Sequence, residues 1–384
     1  MSNPVSSSSS PSAKPIGVGI CGFGRSGCGI HAKAIARMGG QFAIKAVFDP
    51  IETRRGDYTT LPSEVAAGIR PAASFEELLA NPDVELVIVA SPNLWHARQA
   101  RQALAAGKHV LCEKPFGFTT ADVDAMIAAA KAAGRVLQPF QQRRFEQDFQ
   151  KVREVCASGR LGRITHVRTA WHGFSRRWDW QTLRKFGGGQ LYNNGPHPLD
   201  HALELFGPGE PDVWCDLRRS LASGDAEDEV RIILRGKPGT DSANAPVIQI
   251  ELLATAAYPD DRWLVCGTAG GLRGNGSRLD WKWVDWTKMP ARPVDERPTP
   301  DRSYNSEPLE WETASWEPAV KADAGAGAPP AEQPVADMYG TLWATIREGA
   351  PQFITPEAVR RRVAVLEKCY RQCGVPFPEG TLGA

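Results

Sequence analysis

From residue 16 onward, short apolar runs alternate with longer stretches whose apolar positions recur at helical spacing, the pattern of successive β–α–β units feeding a parallel sheet. The runs lie at 16–21, 42–48 and 84–90, with shorter candidates at 109–112 and 135–137. At the centre of the third, Leu86, Val87, Ile88 and Val89 leave no polar face, so a strand buried on both sides is expected. Helices are expected over 32–38, 75–79, 94–106 and 121–133; Gly107 and Gly134 follow the last two, where a helix stops on a left-handed residue. Beyond residue 140 the texture changes, and strands follow one another at 164–171, 213–217, 230–234, 247–254 and 263–266 with turn residues between them. Residues 287–335, rich in Pro, Gly, Ala and acids, read as a long excursion rather than a packed element. Two helices close the chain, the last starting at Thr355 with Pro356 in its first turn and Val359, Val363, Leu366, Tyr370 and Cys373 on one face.

Length agrees with two domains, since 384 residues is well over twice the soft unit of about 150. Charges nearly cancel, 45 basic against 44 acidic residues, which argues against a nucleic-acid or acidic membrane partner. No apolar stretch approaches the roughly 20 residues of a membrane span. The opening MSNPVSSSSSPSAKP has no apolar signal-peptide core and reads as a solvated tail over 1–14, so a cytoplasmic protein is expected. Eight cysteines (21, 28, 112, 156, 215, 266, 369, 373) form no C-x-x-C pair; they are expected to be small reduced core residues, and no metal site is expected.

The first apolar run leads into Gly22, Phe23, Gly24, Arg25, Ser26 and Gly27, a G-x-G-x-x-G opening onto a helix, and Asp49 ends the second run 22 residues after Gly27. Glycine lets backbone approach a pyrophosphate, and the helix start supplies free N–H groups. Asp49 is expected to hydrogen-bond the adenosine ribose hydroxyls and so to favour NAD over NADP, whereas Arg54 and Arg55 are placed to accept a 2′-phosphate instead. The fold class is therefore α/β: a Rossmann dinucleotide-binding domain over 15–140, then an α+β domain over 141–384 with a mostly antiparallel sheet.

Cys28-Gly29-Ile30-His31 follows the loop, and further on stand Ser91-Pro92-Asn93 with His96, Glu113-Lys114-Pro115, and a glycine-rich segment from Gly187 through Asn193, Asn194, Gly195 and His197 to Asp200. In this order, and with Ile346–Gly349 and Phe353–Pro356 near the end, they closely resemble the glucose-fructose oxidoreductase/inositol dehydrogenase/rhizopine catabolism (Gfo/Idh/MocA) family over residues 15–376. The resemblance implies that Ser91, Asn93, His96, Glu113 and Lys114 stand with the cofactor, that Lys114 lies beside the substrate hydroxyl before a cis Lys–Pro bond, and that the chain assembles as a homodimer or homotetramer through the open face of its second sheet. Oxidising a secondary alcohol needs a base, a cation for the developing alkoxide and a nicotinamide within reach. Lys114 fits the cation and His197 the base.

One departure stands out: the family usually has Asp four residues before this His, and here it is Asn193, which accepts a hydrogen bond but brings no charge. A less basic His197 is expected, and Pro196 and Pro198 argue against Asn193 and His197 facing each other as i,i+4 partners. For substrate the candidates are Arg144, in a Gln141–Phe145 segment resembling the family's cleft border, with Trp178, Tyr192 and Asn194. Indoles beside polar groups suit a sugar ring, although most of the 12 tryptophans are expected to pack the sheet, Trp281 and Trp283 as a sheet or subunit contact. The expected function is NAD-dependent hydride transfer with a sugar, sugar derivative or cyclitol. The alternatives are a redox-neutral, glycoside-cleaving enzyme that uses tightly bound NAD transiently, and a non-catalytic NAD-binding sensor, against which the retention of both Lys114 and His197 argues.

Overall fold

The computed structural model describes residues 14–298, 304–318 and 333–383. The tail assigned to 1–14, apart from Lys14, and the parts of the excursion at 299–303 and 319–332 lie outside the described residues. The first sheet consists of β1 (Ile16–Cys21), β2 (Phe42–Phe48), β3 (Arg70–Pro71), β4 (Leu86–Val89), β5 (His109–Cys112) and β6 (Leu137–Pro139). They stand in the order β3-β2-β1-β4-β5-β6, all parallel. Because β1 lies between β2 and β4, the connections reverse direction there and leave a crevice beyond the carboxyl ends of the strands. The four residues of β4 are fully buried, as their uniformly apolar run requires.

The second sheet holds β7 (Ile164–His172), β8 (Asp212–Arg218), β9 (Glu229–Arg235), β10 (Val247–Leu253), β11 (Trp263–Gly267), β12 (Gly270–Asn275), β13 (Arg278–Trp283) and β14 (Glu312–Trp316). Its order is β14-β13-β12-β11-β7-β10-β9-β8, antiparallel throughout except between β7 and β10. β14 corrects the reading of 287–335 as unpacked: Trp281 pairs with Ala314 and Trp283 with Glu312 along an edge that supplies the hydrogen bonds its short, polar sequence does not advertise. The strand expected at 135–137 begins two residues later, because Gly134 (φ 61°) closes the preceding helix and a turn follows.

Two helices obey their local signals closely. Thr120–Ala133 is capped by Thr119, whose hydroxyl accepts the Asp122 N–H, and Pro356–Gln372 by Thr355, which accepts from Ala358. Their packing departs from the assignment of everything past 141 to one domain. Helix Gln333–Glu348 lays Val335, Met338, Tyr339 and Leu342 on the first sheet, while Pro356–Gln372 sends Val359 and Val363 into the first domain's core and Leu366, Cys369 and Tyr370 into the second's. All eight cysteines are free thiols.

His109, on β5, accepts the Val136 N–H at Nδ1 (3.0 Å), which only a neutral ring can do, and burial followed by the charge of Arg135 pushes its pKa down to about 4 from 6.5. Between those values the unfolded chain binds a proton that the folded chain refuses, so this contribution is complete above pH 6.5 and lost as pH falls through about 4. The unfolding temperature is expected to drop over that window more steeply for the wild type than for His109→Asn, whose amide oxygen accepts the same bond without titrating. Parallel curves would refute this role for His109.

Candidate active site

The crevice beyond β1 and β4 opens into a cleft of about 520 Å³, ordinary for a ligand pocket. One wall is the glycine loop. Gly22 has φ +89°, and a Cβ there would stand 2.5 Å from Ala90 C and Ser91 N; at Gly27 it would stand 1.9 Å from the Gly22 oxygen. Only glycine permits this turn, and Gly22, Gly24, Arg25 and Ser26 line the cleft. The helix that follows begins with a π-helical turn, Gly27–Ala32, before the α-helical Lys33–Ala36, rather than as the uniform helix expected from 32.

Phe23 takes a different place from the one anticipated: its ring is wholly buried, and its N–H donates to Asp49 Oδ2 at 2.8 Å. Asp49 Oδ1 accepts from Ile51 N at 2.9 Å, so the carboxylate is held rigidly at the end of β2 and lines the cleft. Arg54 also lines it, 4.0 Å from Asp49 Oδ2, whereas Arg55 turns back to donate to the Asp49 carbonyl and stack on Phe48. These groups fit a dinucleotide: a close-approach loop for the pyrophosphate and a fixed acceptor for ribose hydroxyls.

Ser91, Asn93 and His96 form the opposite lip. The Ser91 hydroxyl donates to Gln99 Oε1 (2.5 Å), the Asn93 amide donates to Gly187 O (2.9 Å), and the His96 ring nitrogens lie 2.7 Å from the carbonyls of Pro115 and Ser91, a neutral ring donating to one of the two. Burial keeps that imidazole below its ordinary pKa. The three residues thus tie the β4 turn to the second domain and to the segment holding Lys114. Glu113 is buried between His31 Nε2, 3.4 Å away, and the Lys114 N–H, which donates to its Oε2 at 3.0 Å. Burial alone would raise this carboxyl, but the His31 contact and the Lys114 ammonium and amide outweigh it and bring it down to about 2. His31 is in turn held by Tyr339, Nδ1 to Oη 2.8 Å.

Lys114, half-buried and preceding a cis peptide bond to Pro115, donates its ammonium to both Asn193 oxygens, 2.6 Å to the carbonyl and 3.2 Å to Oδ1. Burial lowers its pKa to about 8, Glu113 opposing and Arg25, Arg143 and Arg362 adding to the shift. Asn193 ends the short helix Gln190–Asn193, and His197 lies in the next, Pro196–Phe206. The two side chains therefore do not meet as i,i+4 partners: Asn193 serves Lys114, and His197 Nδ1 is buried without a partner. The His197 ring stacks on Trp171 at 5.9 Å and 16°. Burial, then the charges of Lys114, Arg143 and Arg362, push its pKa well below the ordinary imidazole value, causes separate from the Asn193 substitution.

The remaining substrate candidates divide. Asn194 lines the cleft. Arg144 does not: its Nε and Nη2 donate to Asp200 at 2.6 and 2.9 Å in a buried pair, so it braces the His197 helix. Tyr192 is a core residue whose hydroxyl donates to Phe118 O at 2.6 Å, and Trp178 is 79% exposed and outside the cleft. In their places stand Arg143, Trp180 and the unforeseen Gln142, Arg177 and Gln181. A 3₁₀ turn at Gln142–Phe145 sends the neighbouring arginines 143 and 144 to different surroundings, and no local signal says which one faces the cleft.

Residues 16–141 match the model of an oxidoreductase family with an NAD-binding Rossmann fold, and 149–273 match the GFO/IDH/MocA C-terminal domain. An uncharacterised oxidoreductase of Schizosaccharomyces pombe is 30% identical over 260 residues, 67% of this chain and 69% of its own. A 1,5-anhydro-D-fructose reductase of Ensifer adhaerens is 42% identical over 211 residues, 53% of this chain and 61% of its own, so that match spans well under two thirds of the reductase. The crystal structure of an NAD-binding protein from Listeria innocua superposes with a TM-score of 0.73 at 24% identity, covering 94% of this chain and 98% of that one, a likeness of fold. With the dinucleotide loop, the Glu-Lys-Pro turn and the histidine helix converging on one cleft and both domain models matching in order, the chain belongs to the Gfo/Idh/MocA family of NAD-binding oxidoreductases.

Proposed function

We propose that this protein transfers a hydride between the nicotinamide C4 of NAD and a secondary alcohol or ketone of a sugar, sugar derivative or cyclitol. The observation that carries the reading is the single cleft lined both by the glycine loop with Asp49 and by Lys114, Asn193 and His197. Bound nicotinamide dinucleotide would supply the hydride acceptor or donor. Lys114, with a pKa of about 8, is an ammonium at neutral pH, aimed by Asn193 and able to stabilise an alkoxide. His197, neutral at the same pH, accepts the hydroxyl proton during oxidation. Asp49 supports NAD, and Arg54 beside it leaves a cation in reach of a 2′-phosphate. The name of the Ensifer relative, a reductase of an anhydro sugar, supports the substrate class. Assembly as a homodimer or homotetramer through the second sheet belongs to the same proposal.

A redox-neutral cycle on tightly bound NAD is the second reading, favoured by the bare His197 Nδ1 and the commitment of Asn193 to Lys114. Mass spectrometry of the nucleotide released on denaturation, followed by nicotinamide absorbance assays with free sugars, cyclitols and glycosides, separates the two. A protein purified empty that reduces added NAD with a sugar or cyclitol supports the first. Stoichiometric NAD with glycoside cleavage and no net absorbance change supports the second, and failure to bind either NAD or NADP would sink both.

A further inference from the structure

The two halves of the cleft differ in charge. On the dinucleotide side, where a pyrophosphate is expected, Arg25 lines the glycine loop, Arg54 faces Asp49 and Lys114 adjoins Glu113, so two acids stand among three cations. On the substrate side, Arg143 and Arg177 line the wall among amides, Trp180 and His197, and no Asp or Glu stands among the lining residues there. The acids that pair with these arginines sit behind them: Glu146 holds Arg143, and Asp179 accepts from Arg177 at 2.8 and 2.9 Å, neither lining the cleft. Both arginines therefore line the cleft while the carboxylates that pair with them do not, Arg177 committing Nε and Nη2 to Asp179 and Gln181.

Arg143 is also held in place. Its guanidinium lies 4.8 Å from the centre of the Trp171 ring, and that ring stacks on His197. Arg262 sits 5.0 Å from the same ring and donates to Glu146 at 2.6 Å and to Asp148 at 3.0 Å, so the carboxylate that orients Arg143 is itself anchored. Arg143 Nε is buried with no hydrogen-bond partner, an unspent donor on a preorganised fork one ring away from the proposed base. Of the cations that bring positive charge to His197, Lys114 and Arg143 line the cleft, and an anion seated beside them would offset their charge.

We propose that the substrate of this cleft carries a carboxylate, as a sugar acid or other carboxylated polyol does, with Arg143 receiving it and Arg177 assisting at the mouth as specificity-determining residues. This rests on the hydride-transfer reading of the same cleft and narrows its substrate class. A planar guanidinium fork matches a carboxylate in two parallel hydrogen bonds, whereas a neutral hydroxyl uses only one and leaves the charge unanswered.

The test is calorimetric titration of the protein loaded with saturating NADH, using matched pairs of ligands: D-glucuronate with D-glucose, D-galacturonate with D-galactose, and D-gluconate with sorbitol, plus D-glucose 6-phosphate. In at least one pair the acid is expected to bind about 10-fold or more tightly than its neutral counterpart. Arg143→Gln is expected to erase that preference with NADH affinity unchanged, and Arg143→Lys to restore only part of it, since the charge returns without the fork. Arg177→Gln, at a site of similar exposure on a different segment of the chain, is expected to weaken the preference and serves as the test should Arg143→Gln fold poorly. Equal or tighter binding of the neutral rings, tighter binding of the sugar phosphate than of every acid, a preference untouched by both variants, or no binding of any acid would overturn the proposal. If neutral sugars still reduce NAD in that event, the hydride-transfer reading survives alone; if no ligand supports hydride transfer, both fall.

Discussion

Replacing Lys114 with alanine is expected to slow hydride transfer by about 10²–10³-fold, the effect of deleting one preorganised charge donor at a developing oxyanion, or about 3–4 kcal/mol of barrier. Dinucleotide affinity should change little, because the ammonium reaches across the cleft to Asn193, whereas the unfolding temperature should fall modestly, since buried Glu113 loses one of its counter-charges and keeps His31. NADH fluorescence titration and thermal unfolding provide those controls. The pH profile carries a second, independent consequence. Since burial lowers Lys114 to about 8, ketone reduction should decline as pH rises through that value and the ammonium is lost. In Lys114→Arg, which stays charged, the limb near pH 8 should vanish even if the remaining rate is low. A wild-type rate of reduction that climbs through pH 8, or an alanine variant within a few-fold of wild type, would remove Lys114 from the reaction.

Asp200→Asn is expected to be the most destabilising of the conservative changes near the site, by about 3–5 kcal/mol, because it leaves buried Arg362 without its nearby anion and Arg144 with only Glu204, 3.4 Å away. Asp200 is 1% exposed, accepts twice from Arg144, and lies 3.7 Å from Arg362, which is equally buried. Burial already holds Arg362 down at about 10, so the pair tolerates no further loss of anion. Denaturant unfolding should show the midpoint falling sharply. By contrast, Glu367→Gln, which loosens the exposed Arg371 contact at 3.0 Å, should cost about 1 kcal/mol or less from that ion pair. Because Asp200 sits one helical turn beyond His197, surviving folded protein should also lose activity through a displaced imidazole. An Asp200→Asn protein as stable as the wild type would mean that the arginines find solvent, contrary to their burial.

How much of this was legible beforehand depends on how far apart in the chain the deciding groups lie. The glycine loop was readable because its requirements are local: a left-handed turn at Gly22, a contact of Gly27 with the Gly22 oxygen, an acid at the end of the next strand. Thr355 with Pro356 and Gly134 were readable for the same reason, since caps are settled within one helical turn. The substitution of Asn193 for an acid suggested a less basic His197, but the lowering of His197 comes from burial and the nearby cations, and nothing local foretold that Asn193 would receive Lys114 from 79 residues away.

The choice between Arg143 and Arg144 had no local signal at all. They are adjacent residues of one segment, and only the arrival of Asp200 beside Arg144 and Trp171 beside Arg143 gives them separate roles. Likewise β14 exists because β13 offers it an open edge, and the two closing helices divide their apolar faces between cores built by earlier parts of the chain. By itself, the sequence determined the glycine turn, the helix caps, the alternation of strands and helices in the first domain, and the kinds of chemistry available, since those depend on sterics and hydrogen bonds among neighbours. Only the tertiary structure decided which charges are neutralised and which face the cleft, because burial and pairing are properties of residues brought together from distant positions.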